Sequence, residues 1–297
     1  MPKGILHQFL FKCIVLFLLT SLAPCYADPQ HKIVYLISPP RSLSVAFLRM
    51  MQARGDFQVY NEYTNVFLSQ MPPHPDFVKV KILADAQTAN LFLKEIISIR
   101  SRFLTESIEM ASNKNVYYIY LLRHPHPALI SFYKKRILVR GEKDFDKVVA
   151  YNREQLASYQ YIYENLQILK QSAVNKPYII LTESLSINPE QTIEKFSHYI
   201  GVPYKPESLK WQKLAGSFTP EKDWHDVKPL EAVRLWHSDA MSSQEFGKQT
   251  VYATDAQGSP TFVEIKNLKH REICQKAYLE NLRYYNLLLQ EKNLIEG

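Results

Sequence analysis

Two arginines, each followed by a serine near the start of a helix, have the types and spacing that could do chemistry. Arg41 lies in SPPRSLS (38–44) with Ser42 and Ser44, and Arg123 lies in LLRHPHPALIS (121–131) with Ser131 eight residues on. A guanidinium is always charged and carries N–H donors in a fixed fork, and a serine hydroxyl adds a short donor, so both suit oxyanions. Pro39 and Pro40 have no amide proton, so an anion cradle there must use the amides of Arg41, Ser42, Leu43, Ser44 and Val45 at a helix N-terminus. This is a phosphate-binding loop in physical terms, but not the nucleotide-triphosphatase loop, because G-x-x-x-x-G-K-[ST] is absent.

The flanking elements follow from hydrophobic patterning. Ile33–Ile37 is a short β-branched run that predicts a buried strand, and Val45, Leu48 and Met51 carry helical spacing after the turn. Phe57–Tyr60 predicts a second strand ending at Asn61-Glu62-Tyr63, and Phe77–Leu83, with Lys79 and Lys81 on one side, predicts a third. Apolar residues from Leu91 to Ile108 predict a long helix over 86–112. VYYIYLL (116–122) reads as a buried strand with a helix from about Pro127. Asp144–Gln171 reads as helix and Tyr178–Leu181 as strand. Asn188-Pro189-Glu190-Gln191 opens a helix that closes at Gly201, and a final helix spans about Glu272 to Leu289. Strands alternating with helices predict an α/β fold, a three-layer α/β/α arrangement on a mostly parallel central sheet. Ligands of such sheets bind at the strands' carboxyl ends, where Arg41, Glu62 and Arg123 all fall. Two anion sites on neighbouring strands suit phosphates at two places on one nucleotide.

Composition narrows the classes. At 297 residues with 46% hydrophobic and 22% charged, the chain has ample core, and its net charge of +7 lacks the basic block or basic–aromatic ladder that would suggest nucleic acid. Residues 1–27 read as a secretory signal, with Lys3 and Lys12, an apolar Cys13–Leu22 and a small residue at Ala27. The alternative is a retained anchor from about Ile5, lumenal or periplasmic in setting, and only then does the chain meet a membrane. Beyond that leader Cys274 stands alone, so no intrachain disulfide can form. His124 and His126 sit too close together, between prolines, for an ordinary metal site, and no metal is expected.

On these residues the chain resembles the sulfotransferases that use 3′-phosphoadenosine 5′-phosphosulfate. SPPRSLSVAFLR (38–49) looks like the family's 5′-phosphosulfate loop. YLLRHPHPALISFYK (120–134) looks like its 3′-phosphate motif, where an Arg and a Ser eight residues later hold that phosphate. LTESLSINPEQTIEKFSHYIGVPY (181–204) and WHDVKPLEAVRLWHSDAMSSQEF (224–246) are similar to later segments. The match covers about 33–246 within a domain of 28–297, with a helical extension beyond. Two departures stand out. Leu43 replaces a common Gly, which disfavours a left-handed backbone there, and Thr182 replaces a common Tyr.

The resemblance implies a P-loop-like nucleotide-binding fold and transfer of a sulfuryl group from that donor to a hydroxyl or amine, by in-line displacement and without metal. It implies that Arg41, Ser42 and Ser44, with the amides of Leu43 and Val45, hold the 5′-phosphosulfate, and that Arg123 and Ser131 hold the 3′-phosphate. It points to Glu62 as the base, with His237 as the spare candidate, and to Lys81 as a stabiliser of charge on the bridging oxygen. The acceptor would be a small molecule, a carbohydrate or a peptide. Two other classes stay open: a protein that binds the nucleotide or a sulfated ligand without turnover, and a kinase-like phosphotransferase, against which the missing Walker pattern speaks.

Overall fold

The computed structural model describes residues 31–62, 75–151, 156, 158–212, 237–240, 242–247 and 253–296. Residues 1–27, read from sequence as a leader, lie outside the described residues. Among those described, no helix is long and apolar enough to cross a membrane.

Five parallel strands form one sheet: β1 (Ile33–Ser38), β2 (Gln58–Asn61), β3 (Leu91–Ile96), β4 (Val116–Leu122) and β5 (Tyr178–Leu181). Their order is β2-β3-β1-β4-β5. β1 is central, pairing Ile33 with Leu91 on one side and with Val116 on the other. The chain therefore winds outward from β1 in both directions, which opens a crevice at its carboxyl end. All six β1 residues are buried, as expected of a strand with neighbours on both edges and helices on both faces.

The helices form the two outer layers. On one face Val34, Leu36, Phe92, Ile119 and Leu121 pack against α1 (Ser44–Arg54) and, further along the chain, Ile193, Phe196 and Ile200. On the other face Tyr35, Ile37, Leu93 and Tyr120 meet α2 (Pro75–Asp85), α3 (Ile99–Thr105) and α4 (Ile108–Ala111). After β4 come α5 (Pro125–Arg140), α6 (Glu142–Tyr151) and α7 (Ser158–Ser172). After β5 come α8 (Thr182–Ile187) and α9 (Pro189–Tyr199), and α10 (Leu268–Glu296) closes the chain. Glu291 on α10 accepts from Gln167 (2.9 Å) and Lys170 (2.5 Å) on α7, which binds the C-terminal helix to the sheet-covering layer.

The region before β4 departs from expectation. Phe77–Leu83 is not a strand but the body of α2. Val78, Ile82 and Leu83, with Ala86 just past the helix end, are buried at helical spacing, so the valine–lysine alternation is overridden by a helical stripe. The helix expected over 86–112 is instead β3, α3 and α4. Leu91, Phe92 and Leu93 are all fully buried, so this strand shows no alternation that could distinguish it from helix. Ser98 caps α3, its hydroxyl accepting from the Ser101 amide at 3.1 Å while the Ser98 amide donates to Ser101 Oγ at 2.9 Å. Asp144–Gln171 is divided into α6 and α7, α5 begins at Pro125 rather than Pro127, and α10 runs beyond both predicted ends.

Candidate functional site

The turn from β1 into α1 is held by its own atoms. Ser42 Oγ donates to the Pro39 carbonyl at 2.8 Å, and Ser42 is fully buried. The hydroxyl expected to face an anion is therefore committed within the loop, and the contribution of Ser42 to a ligand falls to its amide. Arg41 has φ 66° and Leu43 φ 58°. The departure from Gly at 43 has thus not prevented the left-handed backbone; Leu43 adopts it, at a cost of about 1–3 kcal/mol. Leu43 caps α1 with no side-chain hydrogen bond, so the first-turn amides, near Ser44 and Val45, receive no internal cap.

Glu62 is the third non-glycine residue with positive φ (54°) among the described residues. All three lie at candidate positions chosen from sequence. Strain of this kind persists where the surrounding structure over-determines the backbone, and it gathers at ligand-binding sites.

The two arginine motifs converge. Arg41 Nε donates to Ser131 Oγ at 3.1 Å, and Arg123 Nη1 donates to the Arg41 carbonyl at 2.8 Å. A hydroxyl two turns into α5 and an arginine at the end of β4 thus both reach the loop after β1. Other groups fix this junction. The Tyr159 hydroxyl on α7 donates to the Arg123 carbonyl, and the His124 amide donates to Glu183 Oε1 at 3.0 Å. Burial, before any charge effect, holds the Tyr159 phenol well above its ordinary pKa, so it stays a donor. Neither Tyr159 nor Glu183 was legible as a positioning residue, since each acts on a backbone atom far away in the chain.

At the end of β2, Lys94 Nζ donates to Glu62 Oε1 at 2.9 Å, and the Glu62 amide donates to the Lys94 carbonyl at 2.6 Å. Lys94 is almost wholly buried. Lys81, read on a strand, lies instead on α2 and pairs with Asp85 one turn away at 3.1 Å. The lysine beside Glu62 is Lys94, which sequence reasoning missed because it placed residue 94 in a helix. The register opposite Asn61 would have exposed it had β3 been recognised.

A later segment closes the site. Arg49 on α1 donates through Nη1 to the carbonyls of Ala240 (2.5 Å) and Ser243 (3.0 Å), and through Nη2 to that of Gln212. The Trp211 indole donates to the Ser243 carbonyl at 3.0 Å, and Arg49 stacks over that ring. Burial lowers the Arg49 pKa from its ordinary value. So anchored, the segment delivers Asp239, which accepts from Arg41 Nη2 at 3.0 Å and Lys135 Nζ at 3.3 Å. His237, the spare base candidate, is buried at the start of the segment. His124 and His126 pack among aromatic rings, His124 against Tyr285 and His126 against Phe262. Burial lowers the His124 pKa, with Glu183 opposing and His126 adding to it. Among the described residues no three His, Cys, Asp or Glu side chains gather where they could hold a metal.

No family model and no curated protein matches the chain. Among solved structures it is similar to the sulfotransferase domain of the Synechococcus PCC 7002 olefin synthase, at 14% identity and TM-score 0.43, over 71% of this chain and 90% of that one. It is similar to the sulfotransferase domain from the curacin biosynthetic pathway, at 17% identity and TM-score 0.38, over 73% and 84%. It is also similar to the mouse sulfotransferase SULT7A1 complexed with PAP, at 9% identity and TM-score 0.46, over 86% of each chain.

Proposed function

We propose that this chain is a sulfotransferase that moves the sulfuryl group of 3′-phosphoadenosine 5′-phosphosulfate to an acceptor hydroxyl or amine. The observation that carries the reading is the junction of the two anion motifs, Arg41 to Ser131 and Arg123 to the Arg41 carbonyl, at the carboxyl ends of adjacent strands. The residues fit such a donor. The uncapped α1 N-terminus offers amides for the 5′ end, and Arg123 and Ser131 offer donors for the 3′-phosphate.

Glu62 takes the proton from the acceptor hydroxyl as its oxygen bonds to sulfur. The bond between sulfur and the 5′-phosphate oxygen breaks, and its electron pair stays on the departing adenosine 3′,5′-bisphosphate. Arg41 and the loop amides offset charge on that oxygen, so the protein works by positioning and electrostatics. Lys94 holds the carboxylate at the strand end. On the same reading the acceptor is a small molecule, a carbohydrate or a peptide, and the leader at 1–27 exports the chain.

The test uses residues 28–297 in a thermal-shift titration with adenosine 3′,5′-bisphosphate, ADP and ATP, alongside transfer assays on hydroxyl and amine acceptors. The expected result is a shift with the bisphosphate alone. Glu62→Gln should keep that shift while turnover falls by at least about 100-fold. Equal shifts with ADP would overturn the nucleotide assignment. A bisphosphate shift with no transfer to any acceptor would leave a binding protein.

A further inference from the structure

Asp239 bridges two cations of unequal standing to itself. The side chains of Arg41 and Lys135 are only 18% and 8% exposed, whereas that of Asp239 is 72% exposed. The cations are fixed on both sides: Arg41 by Ser131 at 3.1 Å, Lys135 by Ser238 Oγ at 2.7 Å. Lys135 stands one turn beyond Ser131 on α5, so both serve the same corner of the site. An exposed carboxylate held by two largely buried cations is the replaceable member of the trio, because water competes for it and not for them.

We propose that Asp239 is an internal anion that occupies the Arg41–Lys135 site and is exchanged for a phosphate of the incoming nucleotide, with Lys135 as a further phosphate-binding residue. The proposal deepens the sulfotransferase reading and rests on it for the identity of the nucleotide, but not for the exchange. The backbone need not move: Arg49 pins the carbonyls of Ala240 and Ser243, so rotation of the Asp239 side chain into solvent suffices. The device offsets one of the two positive charges before the ligand arrives, leaving a net +1 on the trio, and weakens every anion by the same competition. Phosphate would replace a monoanionic carboxylate with a group of higher charge and more acceptor oxygens, which sets the direction of the exchange.

The experiment is calorimetric titration of wild-type protein, Asp239→Asn and Asp239→Asn/Lys135→Ala with adenosine 3′,5′-bisphosphate and, separately, pyrophosphate at low salt. Asp239→Asn should bind both probes about tenfold more tightly, and adding Lys135→Ala should cancel the gain. Equal affinity in wild type and Asp239→Asn for both probes overturns the exchange, as does failure of both proteins to bind either probe. A gain that survives Lys135→Ala removes Lys135 from the site. If Asp239→Asn gains on both probes but no protein prefers the bisphosphate to pyrophosphate, the exchange stands and the nucleotide reading falls. Melting temperatures of the variants, read in the same buffer, show that each is folded, and the exposure of Asp239 predicts little change for Asp239→Asn.

Discussion

The two units that meet at the site are built on opposite plans. Both run from a buried strand through an arginine into a helix. β1 turns through two prolines and two left-handed residues and presents the backbone of a bare helix end, with the Ser42 hydroxyl turned inward. β4 passes into α5 without a positive φ, with Pro125 at the helix start, and presents side chains from a regular scaffold, Arg123 and Ser131. One unit stores its function in strain, the other in side-chain placement. The difference teaches where each can be damaged: the first by changing backbone preference, the second by truncating a side chain.

The largest expected effect is on the side-chain unit. Arg123→Ala should weaken adenosine 3′,5′-bisphosphate by about 10–150-fold, the value of a lost charged hydrogen bond, as read by calorimetry. An unchanged affinity would break the comparison, because the end of β4 would then contribute no charge to the ligand. Ser131→Ala should cost about fivefold, a neutral hydrogen bond, with its loss also visible as greater mobility of Arg41 in spectra of guanidinium Nε. The smallest effect belongs to the strained unit. Leu43→Gly removes a positive-φ penalty but loses a partly buried side chain and adds chain entropy, so stability should stay within about 1 kcal/mol. The matched change on the other unit, His124→Gly, has no strain to relieve and removes a ring packed on Tyr278 and Tyr285, so it should lower the melting temperature clearly. Similar outcomes for the two glycine substitutions would erase the distinction drawn between the turns.

Legibility from sequence follows the same division. β1, β4 and the helices after them were readable because each strand is a compact apolar run closed by proline and each helix restarts with its own spacing. That Arg41 and Arg123 fall at one edge of the sheet was readable because strand ends of a parallel sheet share that edge, whereas the direct contact of Arg41 with Ser131 was not. Residues 75–111 were not. α2 is made of residues that favour strands, and its helical stripe is set by what it covers. β3 is buried on both faces and carries Lys94-Glu95 just before its last residue, charges that look out of place in a core strand. With residue 94 placed in a helix and Phe77–Leu83 in a strand, the sequence offered Lys81 and hid Lys94. Asp239 was hidden for a different reason. Nothing local marks an aspartate in a helical stretch at 237–240 as the partner of an arginine on the first strand's turn, and only the docking of the segment on Arg49 brings it there.

The central place of β1 also has a consequence for how the chain comes into being. The strand at the centre of the sheet finds its two partners only at 91–96 and 116–120, although α1, which covers one of its faces, follows it directly. Until β3 has left the ribosome, the six consecutive apolar or small residues of β1 have no partner strand among those described, and non-local pairing of this kind is slow. The nascent chain is then at its most adhesive, and helper proteins that shield apolar stretches would have their longest engagement there. Formation of the sheet therefore waits on strands made well after the one at its centre.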